Sequence, residues 1–365
     1  MELFEFNSAV KYEKAMLSHY QSDPRFINNK SGIFHIVCNP AGAFYQNTVQ
    51  KMIGVKSGND GRRQNEILCQ CVLIKHNQFD ALTVAFFEAQ ENVGEAVRLM
   101  MDYAADYGRH MGAKRMIAAL DGHCNYGIGF SRLDPHAAPL FGESRNPEYY
   151  NAYFENGYYK IGFSSFWGEL DDISNQLNGI MQRIEERTTQ IKTQCADFRQ
   201  FPVHLRRYTD LSNQIFAKHW YYFHRTYNED LELFKTMKPL LSPCNLIFAQ
   251  KNGRDIGYSL FYPDFNELVP IGGEANAGTF LKHKLLHRPI HTVKIAEIGI
   301  LPEYHSSAVV LTLFREVCRQ VKRQYPHIKR VVSSWIMDEN TASQNITRRF
   351  APNLYGSYAA YEKEI

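Results

Sequence analysis

Residues 293–350 constrain the fold most, because their pattern predicts strand, turn, helix and strand in immediate succession. Residues 293–301 are apolar on both faces, which is typical of a buried strand. After Pro302, apolar residues recur at helical spacing, at Val310, Leu313, Phe314, Val317 and Val321. A second strand is predicted over 329–336, and a polar turn at 338–340 opens another helix. This order predicts a right-handed crossover between parallel strands, with a phosphate-binding turn after the first strand.

The same stretch resembles the Gcn5-related N-acetyltransferase (GNAT) superfamily. In that superfamily a strand ending in V-x-P-x-x-R-G-x-G-x-G leads into a helix whose first turn holds the pyrophosphate of acyl-CoA, and a later D/E-N-x-x-A opens the last helix. The matching letters here are ILPEYHSSAVV at 300–310 and ENTA at 339–342. The resemblance implies that the cofactor is bound by Ile298, Ile300, Leu301, His305, Ser306, Ser307, Ala308, Val309, Val310 and Asn340.

The turn departs from the superfamily pattern because its glycines are absent. Ala308 and Val310 stand where glycine would let backbone amides approach the pyrophosphate, and His305 stands in the usual Arg or Gln position. Ser306 and Ser307 offer hydroxyl groups instead. Each lost charge-assisted hydrogen bond forfeits roughly 1.5–3 kcal/mol. We therefore predict weak binding of acetyl-CoA or another acyl-CoA, unless a long acyl chain or a carrier protein adds contacts.

Glu297 is the carboxylate of the first strand, flanked by Ala296 and Ile298. The resemblance implies direct attack of an amine on a thioester, helped by backbone N–H groups and by a general base, often a carboxylate on this strand. Glu297 is therefore the candidate catalytic base, and the alternative is a strand edge that faces water. The position of the superfamily's tyrosine proton donor falls on Thr347, which is unsuited to that role.

Two other pairs of polar residues have competing interpretations. Asp264 and Asn266 follow Pro263 in a segment that resembles part of two-domain GNAT-like proteins, and they either line the acceptor site or stabilise a turn through Asx hydrogen bonds. His283 and His287 have a spacing that can hold a metal, but no third ligand is fixed by the pattern. We expect exposed histidines and no metal.

The chain is predicted to hold two copies of this fold, which gives an α/β class with mixed, α+β-like sheets. Residues 66–167 repeat strands and helices in the order seen in the second half, but EAQENVG at 88–94 places acidic residues where phosphates would sit. The first half is thus predicted to be a structural or acceptor-binding lobe. Apolar residues in 4-3 alternation predict one helix over 170–200. The predicted domains are 1–169 and 201–365, connected by that helix.

Composition limits the classes of function. A chain of 365 residues suits two domains, and a net charge of +3 is too small to argue for nucleic acid. No signal peptide and no bilayer-spanning stretch are expected. Seven cysteines, an odd number, favour reduced thiols and a cytoplasmic location, with no membrane partner. A strand is expected at 33–37.

The sequence leaves three functions open. The first is an acyl-CoA-dependent N-acyltransferase acting on a small-molecule amine or an amino-acid-like acceptor. The second is an aminoacyl-tRNA-dependent transferase, favoured by the basic helix face at Arg315, Arg319, Lys322 and Arg323. The third is a non-catalytic binding protein that kept the GNAT fold. The partners expected beside the amine are therefore a carrier protein or tRNA.

Overall fold

The structure, a computed structural model, describes residues 1–21, 23–58, 65–132, 139–143, 145–305 and 308–365. The predicted cofactor residues Ser306 and Ser307 lie outside these ranges. The chain divides into two units, neither continuous in sequence. Unit 1 contains Met1–Phe163, Pro270–Glu274 and Ser357–Ile365, and unit 2 contains Ser164–Val269 and Ala275–Gly356. The domain boundaries at 169 and 200 stay a prediction.

Unit 1 is a sheet with helices packed on it. Its elements are β1 (Glu2–Glu5), α1 (Ala9–Ser18), α2 (Lys30–Val37), β2 (Thr48–Lys56), β3 (Ile67–His76), β4 (Ala81–Ala89), α3 (Gly94–His110), β5 (Arg115–Ala118), β6 (Phe130–Ser131) and the first residues of β7 (Tyr159–Glu169). The strands run β1-β2-β3-β4-β5, and the end of β14 (Asn353–Glu364) pairs with β5. β4 and β5 are parallel, and α3 connects them.

Unit 2 begins within β7. Its further elements are α4 (Leu170–Arg183), α5 (Glu185–Thr188), β8 (Ile191–Cys195), α6 (Phe201–Ile215), α7 (Tyr227–Met237), β9 (Leu246–Lys251), β10 (Arg254–Pro263), α8 (Ala277–Phe280), β11 (Thr292–Ile300), α9 (Val309–Gln324), β12 (Arg330–Ser333), β13 (Ile336–Met337) and α10 (Thr341–Phe350). The strand order is β7-β12-β11-β10-β9-β8. β11 and β12 are parallel, so the predicted crossover is confirmed.

Helix α9 forms because its apolar residues share one face. Val309, Leu313, Val317 and Val321 are fully buried, and the helix contacts the strands β9, β10 and β11. This burial fixes the start of the helix close to the end of β11, where the predicted phosphate turn lies. From β1 in unit 1 and from β8 in unit 2, both units repeat the order strand, two helices, three strands, helix, strand, with the short α8 inserted between β10 and β11 of unit 2. The fold class of mixed α/β in tandem is therefore confirmed.

Two secondary-structure predictions are wrong. The helix expected over 170–200 ends at Arg183, and after the short α5 the chain forms strand β8, which pairs with β9 from Ile191 to Cys195. Residues 191–195 alternate between half-buried and exposed, so pairing at the sheet edge overrides their helical propensity. The strand expected at 33–37 is part of α2. Short apolar runs of this kind fit a buried helix as well as a strand.

The expectation that all cysteines are reduced is also wrong. Cys195 in β8 and Cys244, just before β9, form a disulfide, while Cys38, Cys69, Cys71, Cys124 and Cys318 are free and buried. Disulfides are rare in reducing compartments, so this bond weighs against the cytoplasmic location, which stays a prediction. Over the described ranges, every helix is too short or too polar to cross a bilayer.

Candidate functional site

The site in unit 2 lies where the parallel strands β11 and β12 separate. They pair from Thr292 opposite Arg330 to Ile295 opposite Ser333, and the Ser334 amide then donates to the Ile295 carbonyl at 2.8 Å. Over the described residues that follow, the ladder between these strands stops. Backbone groups on the facing edges beyond this point need other partners, which a ligand can supply.

A β-bulge on the other side of β11 directs the candidate base. Leu260 of β10 lies opposite Glu297, whereas the next residue, Phe261, lies opposite Ile295, so Ala296 is the extra residue. Such a bulge breaks the strict alternation of side chains and re-aims the residue beside it. Glu297 is that residue, and it is half-buried at the level where β12 leaves the ladder.

Two tyrosines hold the carboxylate of Glu297. The Tyr208 hydroxyl of α6 donates to both oxygens, at 2.8 and 2.9 Å, and the Tyr258 hydroxyl of β10 donates to Oε2 at 2.6 Å. Burial, together with the charge of Glu297, raises the pKa of both tyrosines well above its ordinary value. Both hydroxyls therefore stay protonated, and Ser212, whose Oγ is 2.5 Å from the Tyr258 hydroxyl, donates to it.

A buried ion pair stands behind Tyr208. Arg225 donates to the Tyr208 hydroxyl at 3.2 Å and forms an ion pair with Asp230, and both side chains are almost fully buried. Asp230 also accepts a hydrogen bond from Thr209 at 2.6 Å. Burial raises the pKa of Asp230 to about 6, and Arg225 opposes that rise. The positive charge of Arg225 is thus hydrogen-bonded directly to the Tyr208 hydroxyl, which in turn binds the carboxylate of Glu297.

The predicted cofactor residues of β11 lie along the end of the strand. Ile298 is half-buried, while Ile300 and Leu301 are buried. The Leu301 amide donates to the carbonyl of Ile256 at 2.9 Å, so it is engaged by the neighbouring strand. The end of the strand is therefore held by β10.

The predicted phosphate turn leads directly into α9. His305 is exposed, and its Nε2 donates to the Ile300 carbonyl at 2.9 Å, which ties the ring back to the strand end. Ala308 precedes the helix, Val309 is buried in the core, and Val310 is half-buried. The first turn contains no acidic residue, and the positive end of the helix dipole lies there. This helix start therefore suits an anion such as phosphate.

The other predicted residues have structural contacts. Asn340 is exposed and caps α10, because its Oδ1 accepts a hydrogen bond from the Ser343 amide at 3.1 Å. Asp264 and Asn266 are buried, and Asp264 accepts from the Asn266 amide at 3.2 Å. This is the Asx turn of the alternative interpretation. Roles for these three residues in binding cofactor or acceptor stay predictions.

Among the residues that the structure describes, His283 and His287 do not belong to a group of three or more metal-ligating side chains. The His283 ring lies against the rings of Phe265 and Tyr325, with centroid distances of 5.1 and 6.2 Å. His283 is half-buried, and burial lowers its pKa to about 4. His287 is exposed.

Sequence reasoning missed Tyr208, Tyr258, Ser212 and the ion pair of Arg225 with Asp230. Tyr258 had a signal, because it lies two residues before Leu260 and so shares a face of the sheet with the neighbour of Glu297. Finding the contact between Tyr258 and Glu297 required knowing the register of β10 against β11, and the bulge shifts that register. No sequence signal indicated Tyr208, because tertiary contacts determine how α6 packs on the sheet.

Unit 1 has a corresponding carboxylate that is closed off. Glu88 is likewise the first paired residue after a register shift in its strand, opposite Gln70. It is fully buried, with Lys30 Nζ at 2.5 Å and the hydroxyls of Tyr20 and Tyr150 at 2.6 and 2.8 Å. The Glu88 carboxylate is buried and already paired with the ammonium of Lys30, so it is not accessible to an incoming amine. Unit 2 therefore contains the better candidate site.

The fold is that of a tandem GNAT protein, so the resemblance seen in the sequence is confirmed at the level of fold. No protein-family model matches the sequence. A tandem GNAT protein from the clavulanic acid biosynthesis pathway superimposes with a TM-score of 0.54 at 11% identity, covering 100% of this chain and 98% of that one. A GCN5-related glucosamine N-acetyltransferase region of a fungal multi-domain β-N-acetylglucosaminidase gives 0.55 at 11% identity, covering 99% of this chain and 38% of that one.

A relative with a curated name is Protein YghO of Escherichia coli K12, which is 23% identical over 248 residues. The match covers 63% of this chain and 58% of YghO, so the chain spans less than two thirds of that protein. Identities this low establish the fold alone, since one fold hosts many functions.

Proposed function

We propose that the chain transfers an acyl group from acetyl-CoA, or another acyl-CoA, to an amine at the site in unit 2. One observation carries this proposal. The carboxylate of Glu297 follows a bulge at the level where β11 and β12 separate, and the Tyr208 and Tyr258 hydroxyls hold it in place. A base so placed borders the opening that suits an extended thioester arm.

Each residue has a chemical role in this proposal. Glu297 accepts the proton of the incoming ammonium, which frees the nitrogen lone pair for attack. Tyr208 and Tyr258 donate to the carboxylate, which orients it, and Arg225 donates to the Tyr208 hydroxyl and holds that hydroxyl in place. Bound acyl-CoA supplies the activated carbonyl. The positive end of the α9 dipole attracts anionic phosphate, and the buried Val309 side chain anchors this end of the helix in the core.

The substrate class is proposed more coarsely than the site. One similar structure is named as a glucosamine N-acetyltransferase, which supports an amine acceptor. The half-buried state of Glu297 favours a small amine, because the surrounding side chains leave the carboxylate only partly accessible. A carrier protein is an alternative acyl donor, since the turn lacks the glycines that favour tight binding of CoA itself.

The structure does not favour the aminoacyl-tRNA alternative. On the basic face of α9, Arg319 pairs with Glu316 at 2.6 Å and Lys322 pairs with Asp171 at 2.6 Å. Neighbouring carboxylates reduce the net positive charge that would attract a phosphate backbone. A binding protein without catalysis remains as the second outcome of the test.

Thermal shift of the full chain with acetyl-CoA, longer acyl-CoAs and tRNA tests the proposal, followed by assay of free CoA thiol with a panel of primary amines including glucosamine. A ligand at ten times its Kd stabilises the folded state by about 1.4 kcal/mol, which shifts the melting temperature by a few degrees. We expect an acyl-CoA to give this shift and an amine to release CoA. Stabilisation by tRNA alone, or by acyl-CoA without turnover with any amine, would replace the proposal.

A further inference from the structure

A second surface of unit 2 lies just before β11, in residues 277–288, which we term the leucine segment. Its sequence, AGTFLKHKLLHR, contains Lys282, Lys284 and Arg288 and no acidic residue. It forms α8 and continues as a π-helical turn over Leu281–Leu285. Single π turns inside helices are often found at functional sites.

The lysines of the leucine segment point inward. Lys282 Nζ donates to the Leu268 carbonyl at 2.8 Å, and Lys284 Nζ donates to the Leu241 carbonyl at 3.3 Å. Burial accordingly lowers the pKa of Lys284. Lysine stems usually lie along apolar surface with the ammonium toward water, so this arrangement reverses the ordinary orientation of a surface helix.

The large apolar side chains of the same segment point outward. Leu285 is 62% exposed and Leu286 is 56% exposed, and Leu281 and Phe280 are exposed beside them. The backbone maintains this orientation, because the Leu286 amide donates to the Leu281 carbonyl at 3.0 Å and His287 adopts a left-handed φ of 46°. A non-glycine residue in that conformation is energetically unfavourable and often marks a functional position.

We propose that the leucine segment binds an anionic membrane surface, with Leu285 and Leu286 entering the boundary between headgroups and acyl chains. Side chains that are more than half exposed project from the protein, so they suit insertion into lipid better than they suit lining a groove for a peptide. Arg288 is exposed at the end of the segment, and the segment contains no acidic residue, so the charge of this surface complements anionic headgroups. Such a peripheral contact needs no membrane-spanning helix.

Co-sedimentation of the full chain with vesicles tests this binding. The vesicles contain equal parts phosphatidylglycerol and phosphatidylcholine, or phosphatidylcholine alone, at low and high salt. Each inserted leucine contributes about tenfold to partitioning, so Leu285→Ser with Leu286→Ser should weaken binding to the anionic vesicles about a hundredfold. Leu354→Ser is the matched control, because Leu354 is 60% exposed but lies in β14. It should bind like the wild type.

Several results would overturn the proposal. Equal binding to both kinds of vesicle would remove the role of charge, and unchanged binding of the double variant would remove the role of the leucines. A wild-type dimer that the double variant converts to a monomer, without vesicle binding, would assign the surface to a second copy of the chain. Leu285→Trp gives an independent readout. The fluorescence of the added tryptophan, obtained by subtracting the wild-type spectrum, should shift to shorter wavelength when anionic vesicles are added. The absence of such a shift would contradict insertion.

Discussion

Replacing Arg225 by methionine tests the buried ion pair behind the site. The side chains of Arg225 and Asp230 are 2% and 1% exposed, so Arg225→Met leaves a carboxylate in the interior with Thr209 as a remaining hydrogen-bond donor. Removing one partner of a buried pair typically costs about 3–5 kcal/mol of the free energy of unfolding. Methionine has a similar length, which limits the loss from packing.

The loss should depend on pH, and its sign follows from Asp230. Burial raises the pKa of Asp230 from 3.8 to about 6 in the folded protein, so the stability it contributes is present below about pH 4 and is lost as the pH rises through 6. Arg225 opposes this rise, so Arg225→Met raises the pKa of Asp230 further. Each additional unit costs about 1.4 kcal/mol above that pKa. The deficit of the variant should therefore be larger at pH 8 than at pH 5.

Urea unfolding of the wild type and Arg225→Met at both pH values measures this difference. The control is Arg225→Met combined with Asp230→Asn, which removes the buried charge and should recover much of the loss at pH 8. Equal deficits at pH 5 and pH 8, or a double variant no more stable than the single one, would refute the reasoning.

The remaining predictions concern Asp121 and the phosphate turn. Asp121 is fully buried and accepts a hydrogen bond from the Phe86 amide at 2.7 Å, and burial raises the pKa of Asp121 to about 6. Asp121→Asn keeps an acceptor and removes the charge, so it should stabilise the protein at pH 8 by up to about 3 kcal/mol and have little effect at pH 4, as measured by urea unfolding; a loss at pH 8 would contradict this. Ala308→Gly with Val310→Gly should tighten acetyl-CoA binding by calorimetry, about tenfold or more for each hydrogen bond regained, while costing about 1 kcal/mol of stability at each site. No gain would mean that the turn does not face a phosphate.

The sequence predicted the crossover of unit 2 well, because the apolar positions of α9 follow a single helical period, and Leu313, Val317 and Val321 among them are fully buried. It also singled out Glu297, since a carboxylate on an apolar strand stands out by composition. Residues 191–195 were misassigned because their apolar spacing continues the pattern of α4, and only pairing with β9 shows them to be a strand. Pairing of this kind depends on residues distant in sequence.

The contacts of Glu297 could not be predicted from the sequence for the same reason. Its contact with Tyr258 depends on a bulge at Ala296, which shifts the register by one residue. Its contact with Tyr208 depends on the packing of α6, and the ion pair of Arg225 depends on α7. The disulfide of Cys195 also required knowing that residue 195 lies in β8, beside the segment that contains its partner.

Turnover of Glu297→Gln tests the proposed chemistry most directly. Glutamine keeps an oxygen that can accept from Tyr208 and Tyr258 but cannot take a proton from the ammonium. We expect acyl transfer to fall about a hundredfold while the affinity for acyl-CoA stays nearly constant. The matched control is Glu303→Gln, because Glu303 is exposed at the start of the turn and pairs only at the surface with Arg254, at 3.2 Å; it should keep wild-type turnover. Full turnover by folded Glu297→Gln near neutral pH would contradict the role of Glu297 as the base.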